Sequence, residues 1–310
     1  MNSDCLFVTT HFNPCHWKRQ KETYAEFYEK LPAYVQSNLI CYEAVLPGDR
    51  PEIEGSTVIT AYPDSAFLWQ KEAILNYALE QCPKSVDYFF WLDHDIVFDT
   101  SNWYTRAAEM IYRKKACAVQ LFNKVDYQRP DRKIEFSVPS IHVMGIKGNP
   151  GMAWCAGRDM IDKMRFCDYD IVGGGDRVFY LTVCKRDGAY GKNLKCFFGT
   201  DSLYHSSCMS WINDKRKYSR MRQPSRSING TVTHLYHGAI RNKQYSSKDK
   251  MLVNHGFNPM RHLRLGPTGL LEWTQHASEG LKEDVMNFFK NRKEDTDEGY
   301  RDPIDVETEA

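Results

Sequence analysis

The chain has 310 residues, 42% of them hydrophobic and 26% charged, with a formal net charge of +1. This length can bury a sizeable core in one large or two small domains, and the charge balance excludes a global attraction to polyanions. The N-terminus has no basic region followed by a long apolar one, so no signal peptide is expected. No run comes near the roughly 18 apolar residues of a membrane span, and the ten cysteines form no Cys-x-x-Cys pair. We therefore expect a globular, cytoplasmic protein with reduced thiols and no membrane span.

Strands and helices are predicted to alternate through the first half of the chain. Short apolar runs predict strands at 5–12, 39–45, 56–61, 88–98 and 117–122. Apolar residues at helical spacing predict helices at 18–35, 67–82 and 103–116. This alternation indicates an α/β fold with a mostly parallel sheet flanked by helices.

The second half of the chain is less regular. Its recognisable segments are "GMAWCAGRDMIDKM" (151–164), a "GGGD" turn (173–176), a basic segment (211–226), "VTHLYHG" (232–238) and a closing helix near 278–291. The tail from Arg292 onward is rich in acidic residues and poor in apolar ones, so it is expected to be loosely attached.

Two carboxylates interrupt the central predicted strand "YFFWLDHDIVF" at Asp93 and Asp95. Ionised carboxylates inside a run buried on both faces are costly unless they are paired or bound to metal, so the run should leave the core near Asp93. Residues i and i+2 of a strand point to one side, and ligands of open α/β sheets bind beyond the carboxyl ends of strands. The pattern predicts a Mg²⁺ or Mn²⁺ site shared with substrate phosphates, with a surface turn as the alternative.

The segment "FFWLDHDIVF" resembles the Asp-x-Asp strand end of GT-A-fold glycosyltransferases, and His94 occupies the tolerant middle position. Further segments resemble, in the same order, segments of phage and bacterial glycosyltransferases: 7–14, 68–76, 151–162, 173–176, 234–238 and 288–295. The resemblance implies a metal-dependent hexosyl- or pentosyltransferase that uses a nucleotide-diphosphate sugar, such as a UDP-sugar, as donor. It divides the chain into a nucleotide-sugar-binding half (1–122), a catalytic and acceptor half of the same domain (123–291) and an acidic tail (292–310).

The histidines His234 and His237 are candidates for the same metal site. Neutral imidazoles can complete an octahedral site that the two carboxylates begin. The arrangement resembles the Met-x-x-His metal segment of galactosyltransferases that have a Gly-Gly-Glu/Asp turn, with His234 where the methionine stands. His237 is therefore the favoured ligand, while structural histidines and a zinc site of Asp and His remain alternatives.

Asp176 directly follows three glycines, which permit a tight turn and a close approach of the backbone to a ligand. The resemblance implies that this carboxylate is the base that activates the acceptor hydroxyl in an inverting transfer. A retaining enzyme would not need Asp176 in that role. The alternative is an acidic residue that caps a helix, and the two roles are compatible.

Several residues are candidates for binding the donor. They are Thr9, Phe12 and Asn13 in the first strand and its loop, Trp69 and Lys71 at a helix start, Trp154, and Arg241 and Lys243 after the second histidine. The cations would neutralise diphosphate, and Trp154 would stack on a sugar. Solvated charges and a core tryptophan are the alternatives.

The basic segment contains six Lys or Arg residues against one acid, Asp214. Its acceptor-binding candidates are Trp211, Lys215, Arg216, Lys217, Tyr218, Arg220 and Arg222. Basic groups grip phosphates and aromatic rings stack on bases, so the segment predicts a polyanion clamp, with a solvated mobile loop as the alternative.

The basic segment, the cytoplasmic cysteine usage and the resemblance to phage glycosyltransferases together favour a hydroxymethylated pyrimidine in phage DNA as the acceptor. Such a base would have to be flipped out of the duplex. The enzyme would then work in the cytoplasm of the host cell. The alternative acceptors are a surface glycan, a lipid-linked sugar or a protein. Alternatives of another class are a non-catalytic nucleic-acid-binding protein on a GT-A scaffold and a metal-dependent phosphoesterase.

Overall fold

The computed structural model describes residues 4–184, 202–245 and 247–298, except for the side chain of residue 146. Its strands are β1 (Cys5–His11), β2 (Leu39–Val45), β3 (Thr57–Thr60), β4 (Tyr88–Leu92), β5 (Ile96–Phe98), β6 (Ala118–Gln120), β7 (Lys124–Gln128), β8 (Ile134–Pro139), β9 (Ala153–Gly157), β10 (Arg226–Ser227), β11 (Thr231–His234), β12 (Leu263–Leu265) and β13 (Leu271–Trp273).

The α-helices within the described residues lie between or after these strands. They are α1 (Lys18–Lys30), α2 (Ala33–Ser37), α3 (Lys71–Gln81), α4 (Trp103–Lys114), α5 (Ile141–Met144), α6 (Arg158–Met164), α7 (Gly175–Val183), α8 (Leu203–Ser219), α9 (Lys248–Asn254), α10 (Pro259–His262) and α11 (Glu279–Lys290). The predicted helix 18–35 is divided into α1 and α2 around Pro32, which cannot donate a backbone hydrogen bond. None of the described helices is long and apolar enough to cross a membrane.

A seven-stranded sheet forms the centre of the fold, in the order β10-β6-β9-β4-β1-β2-β3. Neighbouring strands are parallel except at β9, which runs antiparallel to both β4 and β6. The predicted α/β fold with a mostly parallel sheet is therefore confirmed. A second sheet has the order β5-β11-β7-β8, and β12 pairs with β13 in a hairpin.

Strand β4 is buried along its whole length, because helices cover both faces of the sheet. Phe89 and Trp91 belong to one apolar cluster, whereas Phe90 and Leu92 belong to the cluster on the other face. This alternation is the period of two that a strand imposes on its side chains. The same alternation would bury a carboxylate after Leu92 if the strand continued.

The start of the predicted acidic tail is not loosely attached. The carboxylate of Glu294 is fully buried, and Asp295 accepts hydrogen bonds from the backbone N–H groups of Lys18 and Arg19 at 2.9 Å each. Charged side chains that find fixed donors can pack as tightly as apolar ones. Residues 299–310 lie outside the described part of the chain.

The described cysteines, nine of the ten in the sequence, form no disulfide with one another. The tenth, at position 196, lies outside the described ranges. Burial raises the pKa of several of these thiols, among them Cys5 and Cys15 to about 11. Such thiols are poor nucleophiles, so they are not candidates for covalent chemistry.

Candidate active site

The chain leaves the central sheet directly after β4. The N–H group of Asp93 donates to the carbonyl of Met152 at 2.7 Å, and the chain then enters the second sheet as β5. Antiparallel pairing of β5 with β11 sets Ile96 opposite His234, and the N–H group of Leu235 donates to the carbonyl of Asp95 at 2.8 Å. The junction of the two sheets thus brings the Asp-x-Asp segment to the two histidines.

Asp93 and Asp176 share one counter-ion. Lys71 Nζ lies 2.6 Å from Asp93 Oδ1 and 3.0 Å from Asp176 Oδ2. Burial raises the pKa of Asp93 to about 7, although the Lys71 ammonium lowers it. Burial also lowers the pKa of Lys71, but the two carboxylates outweigh that effect and raise it above its ordinary value.

The backbone conformation of the turn before Asp176 requires glycine residues. Gly173 and Gly174 have φ values of +79° and +141°, which L side chains rarely adopt. A Cβ atom on Gly173 would also lie 3.2 Å from the indole of Trp69. The turn therefore packs against Trp69 and begins α7 so that Asp176 in its first turn reaches Lys71.

Asp95 lies between two imidazoles. Its Oδ2 atom is 3.0 Å from His237 Nε2 and 3.4 Å from His234 Nε2. Burial raises the pKa of Asp95, but the two histidines outweigh it and hold the pKa well below its ordinary value. Burial lowers the pKa of His234 to about 4, so this imidazole is neutral at neutral pH and offers a lone pair.

The residues around Asp95 fit a divalent cation. Ligand atoms of Asp95, His234 and His237 lie within 4.8 Å of one another, and one carboxylate with two imidazoles suits Mn²⁺ or a similar ion. Asp95 Oδ1 is buried and has no hydrogen-bond partner among the described residues. Lys243 Nζ donates to His237 Nε2 at 2.7 Å, so a cation already stands beside these ligands. Burial lowers the pKa of Lys243 to about 8, against the opposing charge of Glu294.

Two cavities meet at this cluster. One has a volume of about 110 Å³ and is lined by aromatic rings, including Phe12, Trp17 and Phe289. The other has a volume of about 300 Å³ and contains Asp176 and the glycine turn. Six residues line both cavities: Trp69, Lys71, Asp93, Asp95, His237 and Arg292. The charged groups thus form a shared wall between an aromatic cleft and a polar chamber.

Most of the predicted metal, catalytic and donor residues line these cavities. Phe12, Trp69, Lys71, Asp93, Asp95, Asp176, His234, His237 and Lys243 do so. Thr9 is fully buried in β1, and Arg241 is exposed; neither lines the cavities. The side chain of Asn13 bonds to Glu52 and to the carbonyl of Trp17, in a neighbouring depression. Asn13 therefore shapes the loop beside the aromatic cleft.

Trp154 does not face a ligand, which corrects the expectation that it stacks on a sugar. Its side chain is fully buried, and its indole Nε1 donates to the carbonyl of Pro150 at 2.9 Å. Its ring lies parallel to that of Trp91, with centroids 6.4 Å apart, and packs edge-on against Phe179. As a residue of β9, the strand next to β4, it points into the core below the site.

The basic segment is mostly helical, which corrects the alternative of a mobile loop, and it lines neither cavity. Arg216 is buried and donates to the carbonyl of Cys184, just past the end of α7. Asp176 lies eight residues earlier, or about 12 Å along that helix. Lys215 and Lys217 pair with Asp214, and Trp211, Tyr218, Arg220 and Arg222 line neither cavity either. The helical periodicity thus buries Arg216 and leaves Lys215 and Lys217 at the surface, beside Asp214.

The cavities also contain residues that the sequence did not suggest. Trp17, Gln20 and Phe289 line the aromatic cleft, and Tyr127 and Tyr245 line the larger chamber. Arg292 lies 5.4 Å from the centre of the Trp69 ring, and Glu294 Oε2 lies 3.1 Å from His237 Nδ1. The only sequence signal for the last two was the resemblance of segment 288–295, which the acidic composition of the tail outweighed.

No protein-family model matches the chain, and no curated protein matches it. Among solved structures, it is similar to the catalytic domain of Drosophila β1,4-galactosyltransferase 7 in complex with xylobiose, with a TM-score of 0.35, 10% identity, and coverage of 58% of this chain and 60% of that chain. It is also similar to TarS 1–349 of S. aureus, with a TM-score of 0.40, 8% identity, and coverage of 93% and 71%. Glucosyl-3-phosphoglycerate synthase of Mycobacterium tuberculosis gives a TM-score of 0.41, 10% identity, and coverage of 88% of each chain. The chain thus spans about 60% of the length of the galactosyltransferase chain, and TM-scores at this level do not identify an activity.

Proposed function

We propose that this protein is a metal-dependent glycosyltransferase with a GT-A fold, which moves a sugar from a nucleotide-diphosphate sugar to an acceptor hydroxyl. The observation that carries the proposal is the charged wall shared by the two cavities, which joins a candidate cation site to Asp176. The aromatic cleft suits a nucleobase, because every base has a face that can stack on an aromatic ring. The larger chamber would hold the transferred sugar and the acceptor, and the diphosphate would lie at the wall between them.

Four residues would hold Mn²⁺ or Mg²⁺: Asp93, Asp95, His234 and His237. When bound, such an ion stabilises the negative charge of a departing diphosphate. Lys71 and Arg292 face the same wall and add positive charge to it. A UDP-sugar is the donor that we favour.

Asp176 would act as the base. Its carboxylate lines the larger chamber and lies 3.0 Å from Lys71 Nζ, where it could take the proton of an acceptor hydroxyl. As the acceptor oxygen attacks the anomeric carbon, its proton passes to Asp176, and the bond from that carbon to the diphosphate breaks. A single displacement of this kind inverts the anomeric configuration.

The acceptor is a separate hypothesis. In the structure, the charge of the basic segment is what favours a hydroxymethylated pyrimidine in DNA, whereas a glycan, a lipid-linked sugar or a protein would need no such charge. Replacing Lys215 and Lys217 with alanine tests the DNA hypothesis, because Arg216 is buried and its loss would disturb the fold. If both lysines contact phosphates, the slope of log affinity against log salt should fall by about two units. An unchanged slope, or no DNA affinity in the parent, would contradict the DNA hypothesis.

The activity is tested with a panel of nucleotide sugars and Mn²⁺. Mass spectrometry measures two reactions: hydrolysis of the donor, which releases the nucleoside diphosphate, and transfer of the sugar to the candidate acceptors. Asp95→Ala should abolish both reactions, and Asp176→Asn should slow transfer by about 10² or more while donor affinity stays close to that of the parent. Asp162→Ala is the matched control, since this residue of α6 pairs with Arg158 on the surface. Full activity of the parent in excess chelator would contradict metal dependence, and normal transfer by Asp176→Asn would leave Asp176 a structural residue.

A further inference from the structure

Glu294 is a buried carboxylate in the segment that follows the last helix. It has no exposed surface and accepts hydrogen bonds from Gln20 Nε2 at 2.8 Å and Arg292 Nε at 2.6 Å. Its Oε2 atom also lies 3.1 Å from His237 Nδ1. Burying a carboxylate is costly unless its donors are fixed, and here all three come from different parts of the chain.

The backbone around Glu294 is held in place from two sides. Asp295 bonds to two backbone N–H groups at the start of α1, and Arg19 Nη1 donates to the carbonyls of Glu294 and Thr296 at 3.4 and 3.1 Å. On the other side, Gly238 has a φ of +86°, and a Cβ atom on it would lie 2.9 Å from Glu294 Cα. The segment therefore needs a glycine immediately after His237 in order to pack there.

The neighbours of His237 also determine its tautomer. An ammonium group has three donors and no acceptor, so the contact of 2.7 Å from Lys243 Nζ requires a lone pair on His237 Nε2. In the neutral ring the proton must then lie on Nδ1, from which it is donated to Glu294. The same Nε2 atom lies 3.0 Å from Asp95 Oδ2, so a cation that displaced Lys243 from Nε2 would have this carboxylate beside it.

We propose that Glu294 is a positioning residue, which holds His237 in the tautomer and the orientation that present Nε2 to a divalent cation beside Asp95. The inference rests on the metal site of the proposed function. Histidines that bind metals commonly donate their other N–H group to a carboxylate, which fixes the ring and makes it a better ligand. Glu294 would contact neither the metal nor the substrate, and it would act through His237 alone.

The test compares Glu294→Ala and Glu294→Gln in the full chain with Asp297→Asn as control. Asp297 is a carboxylate of the same segment that pairs with Arg19 and is more than half exposed. The tautomer of His237 is read in the metal-free protein from long-range ¹H–¹⁵N correlations of the imidazole. Affinity for Mn²⁺ alone is read by electron paramagnetic resonance, without nucleotide or turnover.

We expect the parent and Asp297→Asn to show the Nδ1–H tautomer. Glu294→Ala should show a mixture of the two tautomers, because Lys243 alone then opposes the preference of Asp95 for a proton on Nε2. It should also bind Mn²⁺ about 10- to 100-fold more weakly. Glu294→Gln should keep the tautomer through its amide oxygen and recover part of the affinity. A folded Glu294→Ala with the parent's tautomer and affinity would overturn the proposal. If Glu294→Ala does not fold, an unchanged Nδ1–H shift and Mn²⁺ affinity in Glu294→Gln would overturn it. If the parent binds no Mn²⁺ but the variant still loses the tautomer, the metal site fails while the positioning of His237 stands.

Discussion

Lys71 and Asp176 form an ion pair of 3.0 Å between the starts of α3 and α7, and the same ammonium group lies 2.6 Å from Asp93. One cation thus joins the end of the central strand to the candidate base. Without it, two partly buried carboxylates would face each other across the wall between the cavities. The lysine therefore has a structural role that can be separated from any role in catalysis.

The first prediction concerns this shared counter-ion. Lys71→Met should lower the free energy of unfolding by about 3 kcal/mol, because it leaves two carboxylates without their partner. Asp176→Asn alone should cost less, since Lys71 keeps Asp93. In the double variant Asp176→Asn should recover part of the loss, giving a coupling of about 0.5–3 kcal/mol in denaturant unfolding. Strictly additive losses would mean that the two side chains do not interact in solution.

The second prediction concerns the cation beside His237. Lys243 occupies the lone pair of His237 Nε2 that a metal ion would need. A hydrogen bond to a charged group contributes about 1.5–3 kcal/mol, so removing the competitor with Lys243→Met should tighten the binding of Mn²⁺ alone by about tenfold or more. Lys215→Met is the matched control, since this lysine of α8 lines neither cavity. Weaker Mn²⁺ binding by Lys243→Met would show that the lysine supports the site and does not compete for it.

The central part of the site follows from local rules of the sequence. The apolar run of β4, the two carboxylates that end it and the glycine turn before Asp176 each have a local physical cause. A strand cannot bury ionised groups, and a backbone with positive φ favours glycine. Such causes act within a few residues, so a single sequence contains them.

The residues whose roles were predicted wrongly from the sequence are those whose environment is set by partners far away along the chain. A tryptophan in a core and a tryptophan that contacts a ligand occur in the same local sequence pattern. The pairing of β9 with β4 is what distinguishes Trp154 as a core residue from Trp69. Glu294 lies in a segment whose composition is typical of disorder, yet His237, Gln20 and Arg292 hold its carboxylate in a buried position. Composition predicts average behaviour, whereas burial depends on which partners the fold brings together.

The third prediction concerns acid stability. Burial raises the pKa of Glu52, but hydrogen bonds from His11 and Asn13 outweigh it and lower the pKa from 4.5 to about 2. A carboxylate with a lowered pKa in the folded state contributes stability that is present above about pH 4.5 and is lost as the pH falls toward 2. Glu52→Gln should therefore lower the free energy of unfolding by about 1–3 kcal/mol at pH 6, and the difference should shrink below pH 4.5. Urea unfolding at several pH values measures it, and a difference that grows on acidification would contradict the assignment.

The last prediction separates the two tryptophans. Trp69 lines both cavities and lies under Arg292, whereas Trp154 is fully buried between Trp91 and Phe179. Trp154→Leu should lower the free energy of unfolding by about 3 kcal/mol, because it leaves a cavity in the core, while the folded protein keeps its nucleotide affinity. Trp69→Leu should weaken nucleoside-diphosphate binding by about tenfold, the scale of one lost aromatic stacking contact, with a smaller loss of stability. Calorimetric titration gives the nucleotide affinity of each variant, and denaturant unfolding gives its free energy of unfolding. If Trp154→Leu lost nucleotide affinity as strongly as Trp69→Leu while remaining folded, Trp154 would have to contact the ligand after all.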